Sequence, residues 1–360
     1  MRRGASCCGV RSASRRRPPD YPRRVRFGLS LPHYGFSLPS GEIAPADAIG
    51  WATRAEELGF DSVWVSDHFF YSFARYGVEH EPIASLEPLT TLAGVAAATE
   101  RVRLGSLVFC APFRHPVLLA KAATSIDLLG GGRFELGLGA GWLAEEFEAF
   151  GYRFGTVGER FAVLEDTFEV LRRLFAGGTV THDGASASLK DAGLRPAPPL
   201  PPPMLVGGKG GPRLLRLAAR YADAWNVVWR MSPDAYRGKV ADVRRSCEAE
   251  GRDPASLRLQ IGLHSLIGED EAAARAAFER GRAAAPGDSM ANDDHASWLA
   301  DTLSGTPAQV LDRVAAFEEL GVDEIVVAPW VLPFAIHERE QVELFAEEVI
   351  RPLRVRDGAA

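Results

Sequence analysis

The chain has 360 residues, of which 46% are hydrophobic and 24% are charged, a composition typical of a globular protein with a sizeable core. The formal net charge is −6, with both signs interspersed, which argues against a nucleic-acid enzyme with a basic face. No run of about 18 apolar residues occurs, so we predict no membrane association. The four cysteines lack disulfide or metal spacing, and we expect a cytoplasmic protein.

The N-terminal 24 residues are crowded with arginines. Pro18, Pro19 and Asp20 stand where an export signal needs an apolar stretch. We therefore expect residues 1–24 to be a disordered extension, with a nucleic-acid or membrane arm as the less favoured alternative. The folded domain is expected to span residues 25–354, followed by a flexible tail over residues 355–360.

From residue 25 onward, short β-like runs alternate with longer helical ones. The predicted strands are residues 25–31, 61–65, 102–110, 134–139, 204–206, 224–228, 257–261 and 324–327. The predicted helices are residues 46–58, 88–98, 116 to the glycines at 130–132, 159–175, 213–221, 233–250, 308–320 and a last one from residue 340. Strands that alternate with helices pair in parallel through right-handed crossovers. Eight such units predict an α/β fold of the (β/α)8 TIM-barrel type.

Two stretches interrupt this rhythm. Residues 177–203 show little helical pattern and end in a proline-rich strap, and residues 272–304 predict extra helical cover. We expect extra helices and loops at the carboxyl face of the barrel. A doubly wound open sheet is the alternative fold, but residues 31–35 after the first strand lack its Gly-x-Gly-x-x-Gly turn.

Functional groups of a barrel enzyme cluster where the strands end. The second strand ends in Asp67 and His68, and a histidine there is a candidate proton donor, although it is equally compatible with a loop cap. The fourth strand runs into alternating glycines at 137, 139 and 141, which suit either a close ligand or a tight barrel corner.

The fifth strand ends in a glycine-rich turn at residues 207–211, directly before a predicted helix. Backbone N–H groups converge at such a helix start and bind anions, and Lys209 adds a positive charge. The turn therefore predicts a phosphate site, with a merely flexible turn as the alternative. Asp293, Asp294 and His295 are adjacent and lack a further ligand, so we predict no metal site.

Three segments, residues 59–68, 101–142 and 206–226, carry a resemblance to a known family. They include Gly-Phe-Asp-Ser-Val-Trp-Val-Ser-Asp-His, Leu-Gly-Leu-Gly-Ala-Gly-Trp, and Ala-Arg-Tyr-Ala-Asp-Ala-Trp-Asn. In these motifs the chain resembles the luciferase-like monooxygenase family, specifically its F420-dependent oxidoreductase branch. The similarity extends over about residues 25–353.

The resemblance implies a set of site residues. Asp67 and His68 match the catalytic pair beside the cofactor ring, and Leu107–Val108 matches a cis peptide that backs the ring. The segment along the ribityl chain corresponds to Ala140, Gly141 and Glu145, and the phosphate turn corresponds to Gly207, Gly208, Lys209 and Gly210. Trp142 replaces an acidic residue of some F420 sugar dehydrogenases, which suggests a less polar substrate in a pocket with Phe69 and Phe70.

The resemblance also implies a function: hydride transfer between coenzyme F420 and a small organic substrate, with His68 handling the accompanying proton. The alternatives are an FMN-dependent monooxygenase, which needs a separate flavin reductase and oxygen, and a non-catalytic cofactor-binding barrel. We expect a homodimer, again by resemblance.

Overall fold

The computed structural model describes residues 24–79, 81–356 and 358. The predicted extension, apart from Arg24, lies outside the described residues, as do residues 357, 359 and 360 of the predicted tail. The division of the chain at residues 25 and 354 stays a prediction.

Eight parallel strands form the wall of a closed barrel. They are β1 (Arg26–Ser30), β2 (Ser62–Val65), β3 (Arg103–Ser106, continued by Phe109–Cys110), β4 (Phe134–Gly139), β5 (Met204–Gly207), β6 (Ala224–Trp229), β7 (Arg258–His264) and β8 (Glu324–Ala328). Each strand pairs with the next, and β8 pairs with β1, so that Arg26 lies opposite Glu324. The predicted (β/α)8 barrel is confirmed.

Helices surround the barrel and also cover part of its carboxyl face. They are α1 (Pro45–Leu58), α2 (Pro88–Ala98), α3 (Pro116–Leu129), α4 (Ala144–Ala149), α5 (Val157–Phe175), α6 (Pro212–Tyr221), α7 (Pro233–Ala249), α8 (Glu271–Ala283), α9 (His295–Asp301), α10 (Pro307–Glu319), α11 (Arg339–Phe345) and α12 (Arg351–Arg356), with a π-helical turn (Ala346–Ile350) before α12. The extra cover predicted at residues 272–304 is α8 and α9. Among the described helices, none is long and apolar enough to cross a membrane.

Three local predictions need correction. β6 and β7 extend further than predicted, to Trp229 and His264, because the ends of both strands continue the parallel pairing. Residues 177–203 contain an antiparallel hairpin, Val180–Asp183 with Ser188–Ala192, and not only a loop. β3 is interrupted at Leu107 and Val108.

Alternation along the strands separates two environments. Outward residues such as Leu29, Val63 and Leu136 are buried beneath the helices. The Trp64 side chain points into the barrel and fills space there. Gly28 and Gly105 make room for its indole, since a Cβ would lie 2.6 Å from the indole at Gly28 and 2.4 Å from it at Gly105. The barrel interior is therefore packed, and the groups available to ligands lie at its carboxyl mouth.

Candidate active site

His68 lies directly beyond β2 and is held by a buried carboxylate. Its Nδ1 is 2.7 Å from Oε2 of Glu146 on α4, and the other carboxylate oxygen accepts the backbone N–H of Phe69 at 2.6 Å. Glu146 is 1% exposed, whereas the His68 side chain keeps 12% exposure. The pairing fixes the imidazole with Nδ1 engaged and leaves Nε2 as the nitrogen able to exchange a proton.

Asp67, the other half of the predicted catalytic pair, faces a different set of groups. Its Oδ2 accepts the backbone N–H of Cys110 at 2.9 Å, and the Arg114 guanidinium contacts both of its oxygens. Burial opposes the charge of Arg114, but Asp67 and Glu87 together raise the pKa of the guanidinium. Asp67 thus ties the end of β2 to the end of β3, and its predicted catalytic role stays a prediction.

The Val108 side chain packs on three glycines of two neighbouring strands, Gly137 and Gly139 of β4 and Gly207 of β5, which we call the glycine bed. A Cβ on Gly137, Gly139 or Gly207 would lie 3.1, 2.7 and 2.7 Å from its methyl carbons, so the side chain fits only because all three positions lack one. Val108 is itself half-buried. The predicted cis peptide between Leu107 and Val108 is confirmed.

The turn after β5 has the features of an anion site. Gly208 and Gly210 adopt φ angles of 153° and 77°, conformations that favour glycine. The N-cap of α6 is Gly211, which supplies no side-chain cap, so the first backbone N–H groups of α6 are left for another acceptor. Lys209 is exposed on this turn.

The segment after β4 follows the prediction only in part. Gly141 has φ 76°, and a Cβ there would lie 2.7 Å from Sγ of Cys110, so this bend requires glycine. Ala140 is half-buried beside it. Glu145, however, is exposed, and its neighbour Glu146 reaches the site.

The three residues predicted to line the substrate pocket differ in their contacts. Phe69 packs against Phe113 and Phe150, both at 4.6 Å between ring centroids, and Phe70 lies 6.0 Å from Phe150. Both side chains are half-buried, and their place in the substrate pocket stays a prediction. Trp142 remains at the site, 45% exposed and edge-to-face with His68 at 5.7 Å.

Two further residues of the loop after β2 contact the site, and Arg75 among them was not anticipated from the sequence. Tyr71 lies 5.5 Å from the His68 ring, and the Arg75 guanidinium lies over Trp142 at 4.7 Å. Burial raises the pKa of Tyr71 to about 12, which keeps it neutral. These contacts bring the loop after β2 against His68 and Trp142.

Comparison with known proteins resolves the family. The family profile described as luciferase-like monooxygenase matches residues 25–324. The chain belongs to the luciferase-like monooxygenase family. The predicted resemblance is thereby confirmed, and the chain is an oxidoreductase of this family.

Relatives in the luciferase-like monooxygenase family are similar over most of their length. An F420-dependent glucose-6-phosphate dehydrogenase of Amycolatopsis mediterranei is 30% identical over 83% of this chain and 84% of that protein. An F420-dependent hydroxymycolic acid dehydrogenase of Mycobacterium tuberculosis is 33% identical over 75% of this chain and 70% of that protein.

Solved structures share the fold. A coenzyme F420 dependent tetrahydromethanopterin reductase from Methanopyrus kandleri superposes with a TM-score of 0.72 at 22% identity, covering 91% of this chain and 99% of that one. EDTA monooxygenase from Chelativorans sp. BNC1 has a TM-score of 0.77 at 18% identity, over 93% and 94% of the two chains. Both support the barrel architecture.

Proposed function

We propose that this chain is an F420-dependent oxidoreductase that transfers a hydride between coenzyme F420 and a small organic substrate. The proposal draws on relatives whose names specify F420-dependent dehydrogenases. The observation that carries it is the His68–Glu146 pair, in which a buried carboxylate holds a partly exposed imidazole beyond the end of β2. A positioned proton-handling group at the carboxyl end of a barrel strand suits hydride chemistry on a bound cofactor.

The residues at the mouth fit such a cofactor along its length. Val108 and the backbone at Ala140 and Gly141 offer a narrow face to a planar ring and its ribityl chain. At the other end of that face, the turn at Gly207–Gly210 and the uncapped start of α6 suit a phosphate, with Lys209 supplying positive charge. The proposal thus assigns Val108 to the ring, Ala140 and Gly141 to the ribityl chain, and the turn to the phosphate.

When bound, F420 accepts or supplies the hydride, and the protein's own residues do the rest. Nε2 of His68 takes a proton from, or returns it to, the substrate oxygen. Glu146 holds the imidazole by Nδ1 and stabilises its protonated form. Trp142 and Tyr71 flank the His68 ring and limit the access of water.

Titration of the purified chain with F420 and, separately, with FMN tests this proposal. We expect micromolar binding of F420 and much weaker binding of FMN. Micromolar FMN binding without F420 binding would instead favour the two-component monooxygenase. F420 that binds but shows no substrate-dependent change in absorbance would favour the non-catalytic barrel.

A further inference from the structure

The residues that the proposed function assigns to the cofactor belong to successive strands of the barrel. His68 follows β2, Val108 lies where β3 is interrupted, Gly141 follows β4, and the turn at Gly207–Gly210 follows β5. A cofactor that passes these points in order runs around the rim of the barrel mouth. The next strand and helix in that direction are β6 and α7, so any part of the cofactor beyond the turn lies towards α7.

Lys239 of α7 lies against this turn. A Cβ placed on Gly210 would be 3.4 Å from Cδ of Lys239, so the aliphatic stem of the lysine passes beside the turn. The side chain is half-buried, as is usual for a lysine whose stem packs while its ammonium group stays in water. The ammonium nitrogen is two bonds beyond Cδ, and it is therefore close to any anion at the turn or directly past it.

No acidic side chain neutralises Lys239 among the described residues. Two acids of the same helix, Asp234 and Asp242, are each paired with an arginine three residues further along. Asp234 lies 2.5 Å from Arg237, and Asp242 contacts Arg245. Lys239 lies between these two ion pairs in the sequence, and its charge is available to an anionic ligand.

A second observation at the same glycine indicates a missing hydrogen-bond acceptor. A Cβ on Gly210 would lie 3.2 Å from Cζ2 of Trp225, so the turn rests on this edge of the indole. Nε1 is bonded to the same ring atom as Cζ2 and therefore lies on the same edge. The Trp225 side chain is fully buried, and its Nε1 has no partner in the described part of the chain. Buried donors are normally paired, so this one indicates an acceptor that a ligand or water supplies.

We propose that Lys239 is a specificity-determining residue that binds the anionic part of the cofactor beyond its phosphate. FMN ends at the phosphate, whereas the phosphate of F420 continues through lactate into γ-linked glutamates that carry free carboxylates. Lys209 and the start of α6 serve the phosphate, and Lys239, one helix further around the rim, binds a glutamate carboxylate. The assignment rests on the proposed function, because it takes F420 as the cofactor.

Fluorescence titration of the full chain with two forms of the cofactor tests this assignment. One form is F420 with its glutamate tail, and the other ends at the phospholactate and keeps the ring, the ribityl chain and the phosphate. We expect the tailed form to bind about fivefold more tightly at low salt, the factor typical of one partly exposed ion pair. The preference should shrink as salt is added, because salt screens the pair.

Variants assign this preference to Lys239. Lys239→Met keeps a similar stem against Gly210 and removes the charge, so it should bind both forms equally. Its melting temperature should be unchanged, because Lys239 has no ion pair within the described residues. Lys239→Arg should keep the preference. Lys190→Met is the matched control, since it removes the same charge from an exposed lysine of the antiparallel hairpin before β5 and should also keep the preference.

Equal binding of the two forms by the unmodified chain would overturn the tail assignment and leave the proposed function standing. A preference that persists in Lys239→Met would do the same. So would a loss of affinity for both forms in Lys239→Met, which would place Lys239 at the phosphate. A chain that binds neither form, or that binds FMN in their place, would overturn the proposed function and the tail assignment together.

Discussion

Buried polar groups at the two ends of this barrel differ in whether the protein supplies their partners. At the amino-terminal floor, Glu135 is 2.7 Å from Arg258 and also contacts Arg103, while Arg26 pairs with Glu324 at 2.7 Å. Although burial favours the neutral acid, these arginines hold the pKa of Glu135 well below its usual range. At the mouth, by contrast, Nε2 of His264 and Nε1 of Trp330 face no protein partner among the described residues.

This difference separates residues that stabilise the fold from residues that are available to a ligand. Charges that neutralise one another inside the floor bind nothing else, so they specify the barrel. Buried polar groups without partners cost stability, and at the mouth of a barrel a ligand can complete them. The predictions below test this division, from the largest expected effect to the smallest.

Removal of the floor carboxylate should have the largest effect. Glu135→Ala leaves Arg258 and Arg103 buried without their anion, which we expect to lower the free energy of unfolding by about 3–5 kcal/mol. Urea denaturation measures the loss. Glu57→Ala, which breaks an ion pair between Arg54 and a 58% exposed carboxylate, should change it by less than about 0.5 kcal/mol. Similar losses in both variants would contradict a structural role for the floor.

Acid should destabilise the chain through its buried histidines. Burial lowers the pKa of His33 to about 3 and that of His264 to about 4, from 6.5. Because the unfolded chain then binds more protons, stability falls as pH drops below about 6.5, by roughly 2 kcal/mol per histidine between pH 7 and 5. Thermal unfolding of His264→Phe across this range should show a shallower pH dependence. An unchanged slope would contradict a neutral His264.

Glu146→Gln tests the support of the proton-handling histidine. Gln keeps the size of the side chain but removes the charge that holds Nδ1 of His68, so we expect kcat to fall about a hundredfold, with a shifted pH profile and little change in KM. Glu148→Gln, an exposed position on the same helix, is the matched control and should behave as the unmodified chain. A fall in kcat without a shift of the pH profile would indicate a purely structural role.

Gly139→Ala tests the glycine bed. The added Cβ would lie 2.7 Å from a methyl carbon of Val108 and must displace it, so we expect F420 affinity to fall about tenfold and stability by about 1–3 kcal/mol. Val108→Ala in the same chain should restore binding. Gly238→Ala in α7 meets nothing within 4 Å and should leave F420 affinity unchanged. Unaltered binding by Gly139→Ala would place the cofactor elsewhere.

The fold was predictable because strand and helix periodicities alternate along the chain, and Gly59 and the glycines at 130–132 mark helix ends. The glycine-rich turn before α6 was equally visible as a local glycine run before a helix, and its role as a phosphate site stays a prediction. The role of Glu146 was not, because the choice between two adjacent glutamates depends on how α4 packs. The contacts of Phe334 with Tyr34 and Trp229 were also hidden, since these residues are far apart in sequence and meet only in the closed barrel. The homodimer stays a prediction.

A crystal structure of the chain with F420 bound tests the central claim most directly. We predict density for the ring system against Val108 with the His68 imidazole at its edge, and for the phosphate at the turn of Gly208 and Gly210. Density for the cofactor at the amino-terminal floor, or at the mouth with its phosphate away from this turn, would contradict the account.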